Sequence, residues 1–353
     1  MRTVKLIGLH QMEVQEAPMP ELERPTDVRI RMARVGICGS DVHYFAEGGI
    51  GSQRVEYPFT VGHEGAGVVE AVGPQVTRVR VGDRVAIDPA LPCGVCDQCQ
   101  LGRPHTCRKG KFLGCPGQVE GCLAEYLVMP EANCYKIPDP MTLDQAATVE
   151  PLSIGVYAVS LAIPMPGAAI GILGAGPIGL SVLLPSRAQG ASRIYMTDKI
   201  DARVQMALRA GADWAGNPDT EDVVEAITRE EPELLDAVFE CSGDQAAMDQ
   251  AVQLLKPGGL LLLIGIPGAQ NRVSFDINLL RRKEIRIQNV RRQNQCVQRA
   301  IDLIADGAVN VDVMITHHFP LAQTQEGFDL VTDYTDGVVK AIVAFEDDIS
   351  LER

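Results

Sequence analysis

Residues 169–179 read AIGILGAGPIG, an apolar run that breaks into three glycines, Gly174, Gly176 and Gly179, spaced G-x-G-x-x-G. Strand, glycine turn and helix in that order let a backbone approach a pyrophosphate held at a helix N-terminus. Glycines of this spacing can also serve turns alone. Here a strand-like run precedes them, Pro177 and Ile178 open a helix-like segment, and Asp198 stands at the end of the next strand-like run, 193–197. An acid at that point can accept hydrogen bonds from adenosine ribose hydroxyls and repels a 2′-phosphate, so NAD is expected over NADP. Lys199 and Arg203 are the nearby cations that argue the other way.

Outward from the motif, strand-like runs at 169–173, 193–197, 237–240 and 259–264, with a possible edge at 285–288, alternate with helix-like segments at 201–210 and 245–254. The alternation predicts an α/β fold with a doubly wound parallel sheet. Pro185 falls inside the first helix, where it is expected to kink the helix or end it early. Before residue 150 the pattern differs. Short β-type runs at 28–35, 67–72, 84–87 and 124–128 are separated by Gly and Pro. After about 290 come a helix at 296–305 and further β-like runs. At 353 residues the chain is long enough for two domains.

A net charge of −14 argues against a nucleic-acid surface, which needs clustered Lys and Arg. The N-terminal 25 residues, punctuated by charge and proline, do not read as a signal peptide, so a reduced, cytoplasmic protein is expected. Residues 151–186 carry no charge, but five prolines and six glycines interrupt them. They read as buried core, with no membrane span.

Two cysteine patterns carry metal chemistry. Cys93, Cys96, Cys99 and Cys107 form C-x2-C-x2-C-x7-C among Pro92, Gly94, Gly102 and Pro104. Four thiolates close a tetrahedron around Zn2+ and leave no position open, so this site is structural. His105 could substitute as a ligand, but four cysteines make that unnecessary. Upstream, Cys38 in GICGSDVH (36–43) and His63 in GHEGAGVVEAVG (62–73), beside Glu64, are the residue types of an open zinc site. Each alone is more often structural. Ser40 and His43 lie within reach of the same pocket. Cys115, Cys122, Cys134, Cys241 and Cys296 read as packing residues, with Cys115 or Cys122 as possible neighbours of a substrate. His317 and His318 have no expected catalytic role.

GHEGAGVVEAVG, GDRV at 82–85, the four-cysteine loop and the 174–179 fingerprint together resemble the zinc-dependent medium-chain alcohol dehydrogenases over nearly the whole chain. GICGSDVHY (36–44) and EPLSIGVYA (150–158) are similar to the polyol branch, which includes sorbitol and xylitol dehydrogenases. The resemblance implies a GroES-like β-rich catalytic domain, residues 1–152 and 291–353, and a Rossmann NAD-binding domain, 153–290. It implies that Cys38 and His63 bind catalytic zinc, with Glu64 or Glu150 as the third protein ligand and a fourth position for water or substrate. Ser40 and His43 match proton-relay positions, Tyr44 and Arg291 substrate positions, and Arg203 one that packs on the adenine end of NAD. Arg292 stands where many polyol enzymes carry an aromatic. Animal sorbitol dehydrogenases lack the four-cysteine site, which points toward bacterial or fungal relatives. The implied activity is reversible, zinc-dependent, NAD-linked oxidation of a secondary hydroxyl of a sorbitol-, xylitol- or galactitol-like polyol to the ketose, by a homotetramer or homodimer. L-Threonine dehydrogenase or a general secondary alcohol dehydrogenase is the alternative. A non-catalytic dinucleotide-binding protein would have lost a ligand, yet Cys38, His63, Glu64 and Glu150 are all present.

Overall fold

The computed structural model of the chain describes residues 1–162, 164–267 and 272–345. The chain divides into two units, Met1–Glu150 with the stretch from Ile315 onward, and Pro151–Met314.

The first unit is built on the strand Asp27–Gly36, which alternates inward Val28, Ile30 and Met32 with outward Arg29 and Arg31 before both faces become buried near its end. It lies at the heart of a seven-stranded sheet in the order Cys134–Lys136, Arg84–Ile87, Glu64–Val72, Asp27–Gly36, Lys340–Ala344, Ile315–Pro320, with Tyr126–Pro130 also pairing to Asp27–Gly36. Antiparallel register sets Gly36 opposite both Glu64 and Ile342. The functional ends of three strands are thereby brought side by side. The core beneath holds Val28, Ile30, Phe45, Val69, Ile87, Met129 and Phe328.

The second unit carries a six-stranded, wholly parallel sheet in the order Trp214–Gly216, Arg193–Thr197, Ala169–Leu173, Leu235–Glu240, Leu255–Leu263, Arg286–Asn289. Numbered along the chain this is 3-2-1-4-5-6, and the order reverses between Ala169–Leu173 and Leu235–Glu240, the place where such sheets bind ligands beyond their carboxyl ends. Every residue of Ala169–Leu173 is buried, as a strand covered on both faces requires. Among the described residues, no helix is long and apolar enough to cross a membrane.

Gly174 turns the chain out of this strand at φ +104°, and helix Pro177–Ala188 begins with Gly176 as its N-cap and Pro177 in the first turn. A Cβ at Gly179 would lie 1.9 Å from the Gly174 carbonyl oxygen, so glycine is what lets the helix sit against the turn. Gly179→Ala is expected to destabilise the protein by about 2 kcal/mol through this overlap, measurable as a lower urea midpoint.

Of the two effects expected of Pro185, the early end is corrected. The helix does not end early at Pro185 but runs to Ala188. Proline there removes the N–H that would serve the Ser181 carbonyl. Gly155 approaches that same carbonyl so closely that a Cβ would stand 1.8 Å from its oxygen. Residues 291–314, expected to belong with the catalytic domain, lie in the second unit. The short helix Val311–Met314 packs on helices Pro177–Ala188 and Asp201–Arg209, which holds that stretch there.

Candidate metal and cofactor sites

Helix Gly39–Glu47 starts at the end of strand Asp27–Gly36, with Cys38 as its N-cap and Asp41 closing a capping box onto the Cys38 N–H at 3.4 Å. Ser40 Oγ donates to Cys38 Sγ at 3.4 Å, and one turn on His43 Nδ1 lies 2.8 Å from Glu47 Oε1. Tyr44, buried on the same helix, donates its hydroxyl to Cys115 Sγ at 3.8 Å. Burial, together with Cys115, pushes the phenol well up from its ordinary value, so it stays protonated. Cys115 is therefore a partner of Tyr44, and Cys122 packs fully buried under Gly65.

His63 and Glu64, at the start of strand Glu64–Val72, face this helix. One ligand atom each from Cys38, His63 and Glu64 lie within 4.8 Å of one another. His63 is buried, its ring 5.3 Å from that of Phe112. Asp41 Oδ1 approaches its Nδ1 to 3.4 Å, yet that buried nitrogen has no hydrogen-bond partner. Burial lowers the imidazole pKa, but the charges of Asp41 and Cys38 outweigh this and hold it well above the ordinary value. A thiolate and carboxylates around one ring draw positive charge, and a divalent cation meets that demand. Sulfur, nitrogen and oxygen donors converging on one point fit zinc with a position left open.

Glu150 opens helix Val149–Leu161 and is buried. Burial is the main cause that raises its carboxyl to about 7, with the charges of His63 and Glu64 acting on it from nearby. It does not join the group formed by Cys38, His63 and Glu64.

The cysteine loop leaves strand Ala90–Leu91 and returns through Lys111–Phe112, which pair. Gly94 and Gly102 take positive φ, and Cys96 precedes the one-turn helix Asp97–Gln100. Sγ of Cys96 lies 3.6 Å from that of Cys99 and 3.7 Å from that of Cys107. A zinc tetrathiolate with bonds of about 2.3 Å has sulfur–sulfur edges of about 3.8 Å, so the four cysteines fit the ion. N–H groups of Cys99 and Arg108 hold the Cys96 thiol down to about 6, while desolvation and the neighbouring sulfurs push Cys99 up to about 12. Crowded thiolates of this kind are what a cation relieves. His105, buried nearby, is outside the group.

In the second unit, Asp198 follows strand Arg193–Thr197 and ties down the glycine turn. Its Oδ2 accepts the Ala175 N–H at 2.7 Å and its Oδ1 that of Ile200 at 2.9 Å. Lys199 is paired with Asp244 at 2.5 Å. Arg203 is buried on helix Asp201–Arg209, and a Cβ on Gly176 would meet its guanidinium at 3.4 Å, so it lies over the turn. Arg291 and Arg292 come just after edge strand Arg286–Asn289, Arg292 with φ +52°. Gln293 anchors that turn by accepting the Cys296 N–H at 2.7 Å.

Residues 24–139 match the family model of the alcohol dehydrogenase GroES-like domain, and residues 177–306 that of the zinc-binding dehydrogenase. The sorbitol dehydrogenase of Bacillus subtilis (strain 168) is 33% identical over 344 residues, covering 97% of each chain. A probable D-xylulose reductase A of Aspergillus clavatus is 36% identical over 329 residues, 92% of this chain and 91% of that one. Among solved structures, an oxidoreductase/dehydrogenase of unknown specificity from Escherichia coli superposes with a TM-score of 0.92 at 32% identity, covering 98% of this chain and 99% of that one. The chain belongs to the zinc-dependent medium-chain alcohol dehydrogenases, in their polyol branch. It is an oxidoreductase acting on CH–OH donors, and its cofactors are zinc and a nicotinamide dinucleotide.

Two residues of the metal site escaped the sequence. Asp41 sits inside GICGSDVH and reads as an ordinary helix cap. Lys340 is the one charge in the apolar run VVKAIVAF (338–345), a signal that something buried needs an ammonium.

Proposed function

We propose that the protein oxidises a secondary hydroxyl of a polyol of the sorbitol, xylitol or galactitol kind to the ketose, reversibly, with NAD as hydride acceptor. The observation that carries this is the convergence of Cys38, His63 and Glu64 donors, while the other metal-type cluster among the described residues is closed by four cysteines. Bound there, zinc supplies Lewis acidity that lowers the pKa of a substrate hydroxyl toward neutrality. Glu64 is the third protein ligand in this reading, because its carboxylate lies with Cys38 and His63 while Glu150 stands apart from the group. Ser40 and His43 take up and pass on the hydroxyl proton. Glu150 and Tyr44 answer the additional hydroxyls of a polyol, and Arg291 and Arg292 are placed on the substrate as well.

The fingerprint Gly174, Gly176, Pro177, Ile178 and Gly179 holds the dinucleotide, with Asp198 toward the ribose and Arg203 against the adenosine end. The first unit serves as the catalytic domain and the second as the cofactor domain. We further propose a cytoplasmic homo-oligomer, tetramer or dimer. Metal-ready thiolates favour a reducing compartment, and the exposed edge strand Arg286–Asn289 offers a surface for assembly.

The test is NADH formation by the zinc-loaded protein across a panel of polyols, threonine and simple secondary alcohols, repeated after chelation. Turnover is expected with a polyol, lost on chelation, and at least about tenfold better in kcat/KM with NAD than with NADP, since Asp198 repels a 2′-phosphate. Turnover unaffected by chelation, or equal use of both cofactors, overturns the assignment.

A further inference from the structure

Lys340 is only 1% exposed and lies in a strand whose other residues are Ala, Ile, Val and Ala. Its ammonium donates to Glu64 Oε1 at 2.7 Å, to Glu64 Oε2 at 2.5 Å and to the Ile37 carbonyl at 3.1 Å, which uses all three protons. The contact crosses the sheet from Glu64–Val72 over Asp27–Gly36 to Lys340–Ala344. It is possible because the residue under it is glycine. A Cβ on Gly36 would stand 2.2 Å from Glu64 Oε2.

The same carboxylate belongs to the group with Cys38 and His63. A buried ammonium and a metal dication thus address one carboxylate. A thiolate and a carboxylate bound to one divalent ion together balance its charge. Lys340 returns one positive charge to the site, where burial screens it poorly.

We propose that Lys340 is a positioning residue that competes with the metal for Glu64. It fixes the carboxylate when the metal is away and keeps the loaded site under-neutralised, which weakens metal binding and leaves the ion a stronger Lewis acid. The inference rests on the assignment of Cys38, His63 and Glu64 as a zinc site.

The experiment measures zinc affinity of the full-length protein by competition with a chromophoric chelator, with His63→Ala identifying which release step belongs to this site. Lys340→Met is expected to hold that zinc about tenfold tighter or more, with the cysteine-loop zinc unchanged. Lys340→Arg, which keeps the charge, should stay within about threefold of wild type. In cobalt-substituted protein the visible bands of this site should move in Lys340→Met and not in Lys340→Arg. A lysine with only a structural role would leave zinc affinity unchanged or weaken it in Lys340→Met, and either result overturns the proposal. Should Lys340→Met not survive metal-free, the rate of zinc loss from the loaded protein decides the matter. Slower loss than wild type supports competition, and equal or faster loss refutes it. A wild-type chain holding a single zinc would instead refute the metal-site assignment itself.

Discussion

His63→Ala is expected to lower kcat for polyol oxidation by at least about 10³-fold while leaving the dissociation constant for NADH within about twofold of wild type. The large term follows from chemistry. Lewis acidity at the substrate oxygen is worth several kcal/mol, each 1.36 kcal/mol is a factor of ten, and a site that loses its only imidazole loses its hold on zinc. The small term follows from topology. The fingerprint turn and Asp198 are secured within the second unit by Gly179 against Gly174 and by Asp198 on Ala175, whereas His63 belongs to the first unit. Zinc should fall from two atoms per chain to one. Because His63 also packs on Phe112, His63→Gln, which refills more of the space, separates loss of the ligand from loss of packing. Steady-state NADH formation, NADH fluorescence titration and metal analysis give the three readouts. Near-normal turnover with one zinc per chain would sink the assignment.

What the sequence disclosed depended on how local each feature is. The glycine fingerprint and the cysteine loop each close within about fifteen residues, so spacing alone states their geometry. Residues 38 and 63 are separated by a helix, a short hairpin and a loop, and their meeting had to be inferred from the neighbours of each. The Lys340–Glu64 pair spans 276 positions, and nothing in spacing can predict it. It depends on Lys340–Ala344 and Glu64–Val72 flanking the same strand, a result of sheet order. The choice between Glu64 and Glu150 was open for the same reason. Helix Val297–Ala305 was legible as a helix, with buried Val297, Ala300, Ile301 and Ile304 on one face, but an amphipathic face does not state which core it covers. Pro185 was visible, and of its two expected effects the early end did not occur, since the helix continues to Ala188.

Cys107→Ser is expected to open the cysteine loop to trypsin by about 10² in cleavage rate before it costs the enzyme its activity. Besides the metal, the loop from Cys93 to Cys107 is held by short-range hydrogen bonds, such as Thr106 Oγ1 to Gln98 Oε1 at 2.9 Å. Its apolar side chains Val95 and Leu101 are 74% and 70% exposed, so it builds no core of its own. The ion pair between Arg108 and Asp97 is exposed at 2.6 Å, and such pairs contribute little. Structural zinc, by contrast, contributes on the order of 10 kcal/mol to the segments it folds, and one lost thiolate from four removes much of that. Arg108 and Lys109 then become accessible cleavage points in a segment free to unfold locally. Damage should reach the catalytic zinc only through Phe112, which ends the returning strand and carries its ring against His63. The expected sequence is therefore one zinc lost and rapid nicking between 93 and 110 with most of kcat retained, followed by a fall in kcat as Phe112 loosens. Cleavage resistance like that of wild type with both metals still bound, or immediate loss of turnover in a loop that stays protected, would show that the four cysteines do not form a closed structural site.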